Sequence, residues 1–380
     1  MQCRVVLLLL LLDACYSPLP QLGNPCDEQH PCPMPLVCAV GRVALDPQPT
    51  CQQTASLPDA TPDAAPDAGC VPTAEICGDG IDQDCRDGDL ACEVNDKPAD
   101  AIDVTGGGAF MADLLRAHDD LSNAGCNGDG GNDVFYQVML GNPEVYYFDT
   151  FGSSFDTSIR VFPGVPCTSV AGASDPACDD DACGGDASQL ALELPAGASC
   201  VVVDKNENAS VEVDQGALQL HVVPGGRTGM ELPRGVATLS GDTCHGVDAS
   251  HPQRTHKVGD DDDCAAPGSA TPDLAYFFTA CPGQPTLIDA STCADPTKTH
   301  FDTVLYIHPV GGDYLACEDD DHHHICGPRP DRPDQAPDGS ILTAVAIQTA
   351  GLYWLVVDGS NPSNGIALQC GPYQLDTNYR

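Results

Sequence analysis

The sequence predicts a mostly β protein: two tandem antiparallel β-sandwich domains of jelly-roll-like kind, with small disulfide-rich modules at the N-terminal end. Three observations predict it. Short runs of aromatic and β-branched residues alternate with Gly, Pro and Asp turns. A set of landmarks occurs twice in the same order, which marks an internal repeat. The chain also carries 22 cysteines, a usage that belongs to an oxidising compartment rather than a reducing cytosol. At 380 residues there is room for two domains with cores of their own and for minor modules besides.

Residues 1–14 read as a signal peptide: a short positive start at Arg4, an apolar run over 5–12, and a small-residue step at Ala14-Cys15. The apolar run is too short for a bilayer, which takes about 20 residues. Leu12-Asp13-Ala14-Cys15 resembles a bacterial lipoprotein cleavage box and makes Cys15 a lipidation candidate. The alternative is ordinary signal cleavage nearby with Cys15 in a disulfide. Assigning Cys3 to the leader and Cys15 to lipid leaves an even number for pairing.

Residues 15–53 form a Cys-rich module with Cys26, Cys32, Cys38 and Cys51, whose spacings do not match a zinc knuckle. Residues 54–69 repeat Pro-Asp-Ala, a spacer stiffened by proline and extended by charge repulsion. A second module, 70–95, holds Ile76-Cys77-Gly78-Asp79-Gly80-Ile81-Asp82-Gln83-Asp84-Cys85-Arg86-Asp87. The two sandwich domains are expected over 96–228 and 229–380. In the first copy the landmarks are Asp133-Val134-Phe135-Tyr136, Phe155-Asp156-Thr157, Cys178-Asp179-Asp180-Asp181 with Cys183, Ser188-Gln189-Leu190 and Val201-Val202-Val203-Asp204. In the second they are Asp273-Leu274-Ala275-Tyr276, Phe301-Asp302-Thr303, Cys317-Glu318-Asp319-Asp320-Asp321 with Cys326, Ser340-Ile341-Leu342 and Val356-Val357-Asp358. The first copy has Ser199-Cys200 where the second has Tyr353-Trp354, and Lys205 where the second has Gly359. The best helix candidate, residues 109–121, reads equally well as strand and turn.

Charge narrows the function. The 56 acidic residues against 15 basic ones leave a net charge of −41, and 47 of the acids are Asp. Short Asp side chains suit turns and compact oxygen cages. Nucleic acid is excluded as a partner because there is no basic patch to meet phosphates. Adjacent carboxylates repel, so a loop that carries three is costly to order without a cation. Calcium takes six to eight oxygens in a flexible cage. It is therefore the expected ion at Asp302, Asp319, Asp320 and Asp321 in the second domain and at Asp156, Asp179, Asp180 and Asp181 in the first. The alternative is a set of solvated turn acids beside a disulfide. In the small module Asp79, Asp82 and Asp84 alternate as in a calcium loop, though no Glu closes an EF-hand, and a metal-free disulfide-pinned turn reads as well. Disulfide candidates are Cys178, Cys183, Cys317, Cys326, Cys77 and Cys85, with connectivity left open. His322-His323-His324 and the acidic run 260–263 read as exposed loops.

The doubled pattern resembles the bacterial pre-peptidase C-terminal domain, over roughly two thirds of the chain. That resemblance implies β-sandwich accessory modules of exported hydrolases, some of which bind calcium. The 70–95 module resembles a metal-binding motif of secreted bacterial proteins, with Arg86 inserted where Asp-Gly follows the second Cys. There is no His-Glu-x-x-His, Gly-x-Ser-x-Gly, P-loop or dinucleotide fingerprint, so no enzyme is expected. The expected function is a non-catalytic cell-envelope lipoprotein, at the outer membrane or cell surface, or else secreted. It would touch the membrane through its lipid anchor only, and its partner would be a surface protein or a glycan. The alternatives are an accessory or degenerate secreted hydrolase or peptidase, and a surface metal-binding protein.

Overall fold

The computed structural model describes residues 71–73, 75–121, 131–173, 176–205, 216–246, 272–293, 295, 297–299, 301–319, 339–359 and 370–380, together with the backbone of two N-terminal strands. The chain divides into Met1–Cys70 and Val71–Arg380. In the first unit, β1 (Leu36–Ala39) and β2 (Thr50–Gln53) pair antiparallel, with Cys38 opposite Cys51.

Among the described residues the second unit has eighteen strands, in two sets of nine. The first set is β3 (Ile102–Asp103), β4 (Gly108–Asp113), β5 (Asp133–Leu140), β6 (Glu144–Asp149), β7 (Thr157–Phe162), β8 (Ala177–Asp179), β9 (Gln189–Leu194), β10 (Gly197–Lys205) and β11 (Ala217–Pro224). The second is β12 (Met230–Glu231), β13 (Gly235–Asp242), β14 (Leu274–Ala280), β15 (Thr286–Ser291), β16 (Thr303–Pro309), β17 (Ala316–Asp319), β18 (Ile341–Ile347), β19 (Gly351–Gly359) and β20 (Pro372–Tyr379). Five strands in the order β3-β5-β10-β7-β8 face four in the order β4-β11-β6-β9; the second set repeats both orders nine strands later. The fold is thus mostly β, in paired sandwiches. The ladders are antiparallel except at β3–β5 and β12–β14, where a two-residue strand joins one edge of the sheet in parallel. Residues 109–121 are strand and turn: β4 runs into a 3-10 turn at Leu114–Arg116, capped by the Asp113 carboxylate on the Leu115 N–H.

Alternation along each strand sends one set of side chains inward. Val134, Tyr136 and Val138 of β5 meet Tyr146 and Phe148 of β6 and Leu218, Leu220 and Val222 of β11 in the first core. Tyr276, Phe278, Leu355, Val357, Tyr373 and Leu375 fill the second. The outward set is buried as well, and the two copies achieve this differently. In the first, Phe135, Phe162 and Val202 lie under a 3-10 segment, Cys167–Gly172, pinned by the Cys167–Cys200 disulfide. In the second, Ala275, Phe277, Trp354 and Val356 lie against Val145 and Tyr147 of β6 in the first sandwich. Cys200 and Trp354 occupy equivalent positions, four residues before Asp204 and Asp358. The departure of the first copy from its aromatic pair therefore swaps one cover for another. The linker between the sandwiches passes close over Trp354, where a Cβ at Gly229 would collide with the indole, and the Arg227 guanidinium lies 5.6 Å from the ring centre.

Candidate functional site

The loop end of the first sandwich is organised by three buried hydroxyls. Thr150 follows β6, Thr157 opens β7, and Ser188 precedes β9. Thr150 Oγ1 and Thr157 Oγ1 are 2.5 Å apart, and Thr157 Oγ1 and Ser188 Oγ are 3.2 Å apart. The Ser188 N–H donates to Thr150 Oγ1 at 2.8 Å, and Ser188 Oγ donates to the Thr157 carbonyl at 2.6 Å. A hydroxyl both donates and accepts, so three of them satisfy one another out of water. The second copy repeats the arrangement: Thr292 and Thr303 hydroxyls 2.7 Å apart, Ser340 N–H on Thr292 Oγ1 at 3.0 Å, and Ser340 Oγ on the Thr303 carbonyl. The sequence landmarks contain Thr157, Ser188, Thr303 and Ser340. They miss Thr150 and Thr292, because the spacing to the next Thr differs, 7 residues in one copy and 11 in the other.

This stitching places the acids. The Thr157 N–H donates to the Asp186 carbonyl at 3.0 Å and the Ala182 N–H to the Ala187 carbonyl at 2.7 Å, which folds the β8–β9 loop back over the start of β7. Carboxylate oxygens of Asp156, Asp181 and Asp186 then lie within 4.8 Å of one another, Asp156 buried and the other two exposed. Two of the four acids expected in the first domain thus converge. Asp186, absent from that expectation, joins them. Asp179 does not belong to the group: its Oδ2 accepts the Gln189 N–H at 2.7 Å. Burial pushes the Asp179 carboxyl above its ordinary value, with Asp181 adding to the rise and Arg234 opposing it. Asp180 contributes its carbonyl, which accepts from Ser188 Oγ at 3.4 Å. In the second domain Asp302 precedes Thr303 as Asp156 precedes Thr157, and Asp319 ends β17. Asp320, Asp321, Cys326 and His322–324 lie outside the described residues, as do Cys15 and residues 260–263.

In the small module, carboxylate oxygens of Glu75, Asp82 and Asp84 lie within 4.8 Å of one another. Glu75 Oε2 accepts the N–H groups of Gln83 and Asp84, both at 2.9 Å. The Arg86 insertion puts its main-chain N–H between Asp82 Oδ1 at 3.0 Å and Asp84 Oδ1 at 2.8 Å. Asp79 stands apart from the trio, accepting from Ile81 N–H and Gln83 Nε2. Glu75, two residues before Cys77, was not singled out in the sequence.

The disulfides follow tertiary rather than sequence proximity. Cys77 pairs with Cys92 and Cys183 with Cys281, 98 residues away in the second sandwich. Cys244 pairs with Cys370. Cys85, Cys178 and Cys317 are also disulfide-bonded. Both sulfurs of Cys77–Cys92 lie 3.9 Å from His118 Nδ1, which is 2.9 Å from Asp96 Oδ2. Tied in a disulfide, they are not the thiolates a transition metal takes.

No family model matches the chain. No curated protein matches it either. Among solved structures, a "putative secreted protein" of Eubacterium rectale aligns over 71% of this chain and 73% of its own, at 9% identity and a TM-score of 0.19. The VP2 subviral particle protein of infectious bursal disease virus aligns over 73% and 69%, at 9% identity and 0.21. The plant receptor-like kinase FER aligns over 72% and 87%, at 8% identity and 0.17. Scores this low do not establish a shared fold.

Two buried carboxylates recur on the outer face of each five-stranded sheet. Asp133 faces Asp204 across β5–β10, and both are fully buried. The buried guanidinium of Arg160 on β7 is ion-paired with Asp204. In the second copy the acids are Asp273 and Asp358, and Tyr306 stands where Arg160 was. The cation comes instead from the linker, Arg227, which pairs with Asp273.

Proposed function

We propose that the chain is a non-catalytic protein of the cell envelope whose fused sandwiches form a calcium-stabilised body for binding or display. The disulfides support a location outside the reducing cytosol, and among the described residues no helix is long and apolar enough to cross a membrane. Lipidation at Cys15, an outer-membrane or surface location, kinship with pre-peptidase C-terminal domains, and a surface protein or glycan as partner belong to this proposal. The doubled strand order is consistent with the kinship.

The observation that carries the calcium reading is the convergence of Asp156, Asp181 and Asp186. The donors are all hard carboxylate oxygens, a set that fits calcium and does not fit soft or imidazole-seeking metals.

Thermal unfolding of the disulfide-intact protein in EDTA, then with calcium, magnesium or zinc, tests the proposal. A ligand at about 100 times its Kd stabilises by about 2.7 kcal/mol, so calcium is expected to raise the midpoint by several degrees. Asp156→Asn should remove most of the rise. An unchanged midpoint in all three metals would demote the acids to solvated turns.

A further inference from the structure

Where the small module meets the first sandwich, four side chains converge whose chemistry differs from that of the acidic loops. Cys77, Cys92, Asp96 and His118 each bring one donor atom within 4.8 Å of the other three. Cys77 and Asp96 are buried, and Cys92 and His118 are half-buried. His118 Nδ1 stands 3.9 Å from each sulfur of the Cys77–Cys92 disulfide and 2.9 Å from Asp96 Oδ2. The other Asp96 oxygen accepts the His118 N–H at 2.6 Å, so the main chain aims this carboxylate at the ring. Backbone bonds fix the flanking segments: the Gly78 N–H donates to the Leu90 carbonyl at 2.8 Å and the Glu93 N–H to the Arg116 carbonyl at 2.7 Å. The four donors are therefore held in place by more than the disulfide itself.

Two sulfurs, one imidazole nitrogen and one carboxylate oxygen make the donor set of a tetrahedral zinc site, unlike the all-oxygen groups at Asp156 and Glu75. The distances agree. Zinc about 2.3 Å from sulfur and about 2.0 Å from nitrogen gives sulfur–nitrogen edges of about 3.5 Å, and here both are 3.9 Å. The edge that must change most is sulfur to sulfur, from a bond to about 3.8 Å, and opening the disulfide frees it. We infer that Cys77–Cys92 is the closed form of a redox-gated zinc site, in which the two cysteines, once reduced, hold one zinc ion with His118 and Asp96. A dithiol supplies the reduction: its two sulfurs join in a disulfide, and its two electrons and two protons pass to Cys77 and Cys92. Zinc then displaces both protons as it binds the thiolates, and the His118 ring proton moves to Nε2 to free Nδ1. Metal and disulfide exclude each other. No donor is shared with the calcium group, so this inference does not rest on the calcium reading.

Limiting phosphine under nitrogen opens disulfides in the full chain, zinc chloride alone is then added, and alkylation with peptide mass mapping reads each cysteine separately. Zinc at ten times its Kd is expected to slow alkylation of Cys77 and Cys92 together by about tenfold, since only the unbound fraction reacts, and calcium should not slow it. Cobalt in place of zinc should give the visible absorption of a tetrahedral thiolate centre. His118→Gln keeps a donor for Asp96 and removes the nitrogen ligand. It should lose the protection while still forming the Cys77–Cys92 disulfide in air, which shows that the variant folds. Asp156→Asn should lose the calcium response and keep the zinc protection, so the two readings fail separately. Three results would each overturn the inference. They are equal alkylation with and without zinc, protection in His118→Gln equal to the parent's, and a Cys77–Cys92 bond that stays closed until the buried Cys167–Cys200 also opens.

Discussion

Asp133 is a charge the fold does not want. It is fully buried on the outer face of the first five-stranded sheet, and burial pushes its carboxyl up to about 7, with Asp120 and Asp119 adding to the rise. The Leu121 N–H, 2.8 Å from its Oδ2, and the charge of Arg160 pull the other way and do not overcome desolvation. Arg160 already has Asp204 as its partner, so one guanidinium faces two carboxylates. The folded state keeps the Asp133 proton up to about pH 7, while the unfolded chain gives it up near the ordinary carboxyl value of 3.8. Between those values the native state binds more protons than the unfolded one, so raising the pH removes stability. Across that window the loss is about 4 kcal/mol. Asp133→Asn deletes the charge, keeps an oxygen for Leu121, and offers its amide to Asp204 opposite. The variant should match the parent near pH 4 and exceed it at pH 8 by up to about 4 kcal/mol. Urea unfolding of both proteins across pH 4 to 8.5 reads this directly, because the difference between the two curves isolates one group from the other titrating acids. Parallel pH profiles, or a variant weaker than the parent at pH 8, would refute the reasoning.

Two further outcomes follow from the seam between the sandwiches. Arg227→Met keeps a side chain over Trp354 but leaves the buried Asp273 without its arginine. The loss should be about 3–5 kcal/mol, concentrated in β14 and β19 by hydrogen exchange, and a cost under about 1 kcal/mol would show that Asp273 is neutralised by other means. Removing Cys183 and Cys281 together opens a 98-residue link and should lower stability by at most about 4–5 kcal/mol. The sandwiches should stay stacked because Trp354, Phe277 and Tyr147 remain packed, so an increased radius of gyration in scattering would contradict the shared core.

The nine-strand repeat was legible because its landmarks sit where local physics is strict. Asp-Thr opens a strand after a turn, and Val-Val-Asp closes a strand buried on both faces. What stayed hidden depends on the other side of the sheet. Within Ile159-Arg160-Val161 the alternation reads as two core residues around a solvated one. Yet Arg160 is fully buried, because the surrounding face is covered by the segment running through Leu121 and by the 3-10 turn at Cys167–Gly172, and no pattern in β7 announces a cover. The acidic run 179–181 misled for a related reason. It looks like one cluster, but the chain leaves β8 at Asp179 and turns at Ala182–Gly184, so neighbouring carboxylates diverge and Asp186 returns from further along. Cysteine pairing was equally closed to inspection, since Cys183 finds its partner only once two sandwiches have stacked.

The asymmetry between the copies explains why they remain together. A five-stranded sheet buried on one face only would expose the row of Phe277, Trp354 and Val356, a patch that a soluble domain does not carry. The first copy solves this internally with Cys200, Cys167 and a 3-10 cap, and neutralises its buried acid with an arginine from its own sheet. Among the described residues the second copy contains neither device. Its cover is the first sandwich, and its cation is Arg227 from the linker. Cut after residue 227, the second sandwich would lose apolar cover and charge balance in one step, whereas the first would keep the cover and the cation of its own five-stranded sheet. The repeat therefore has a direction: the first sandwich is the platform and the second is completed on it.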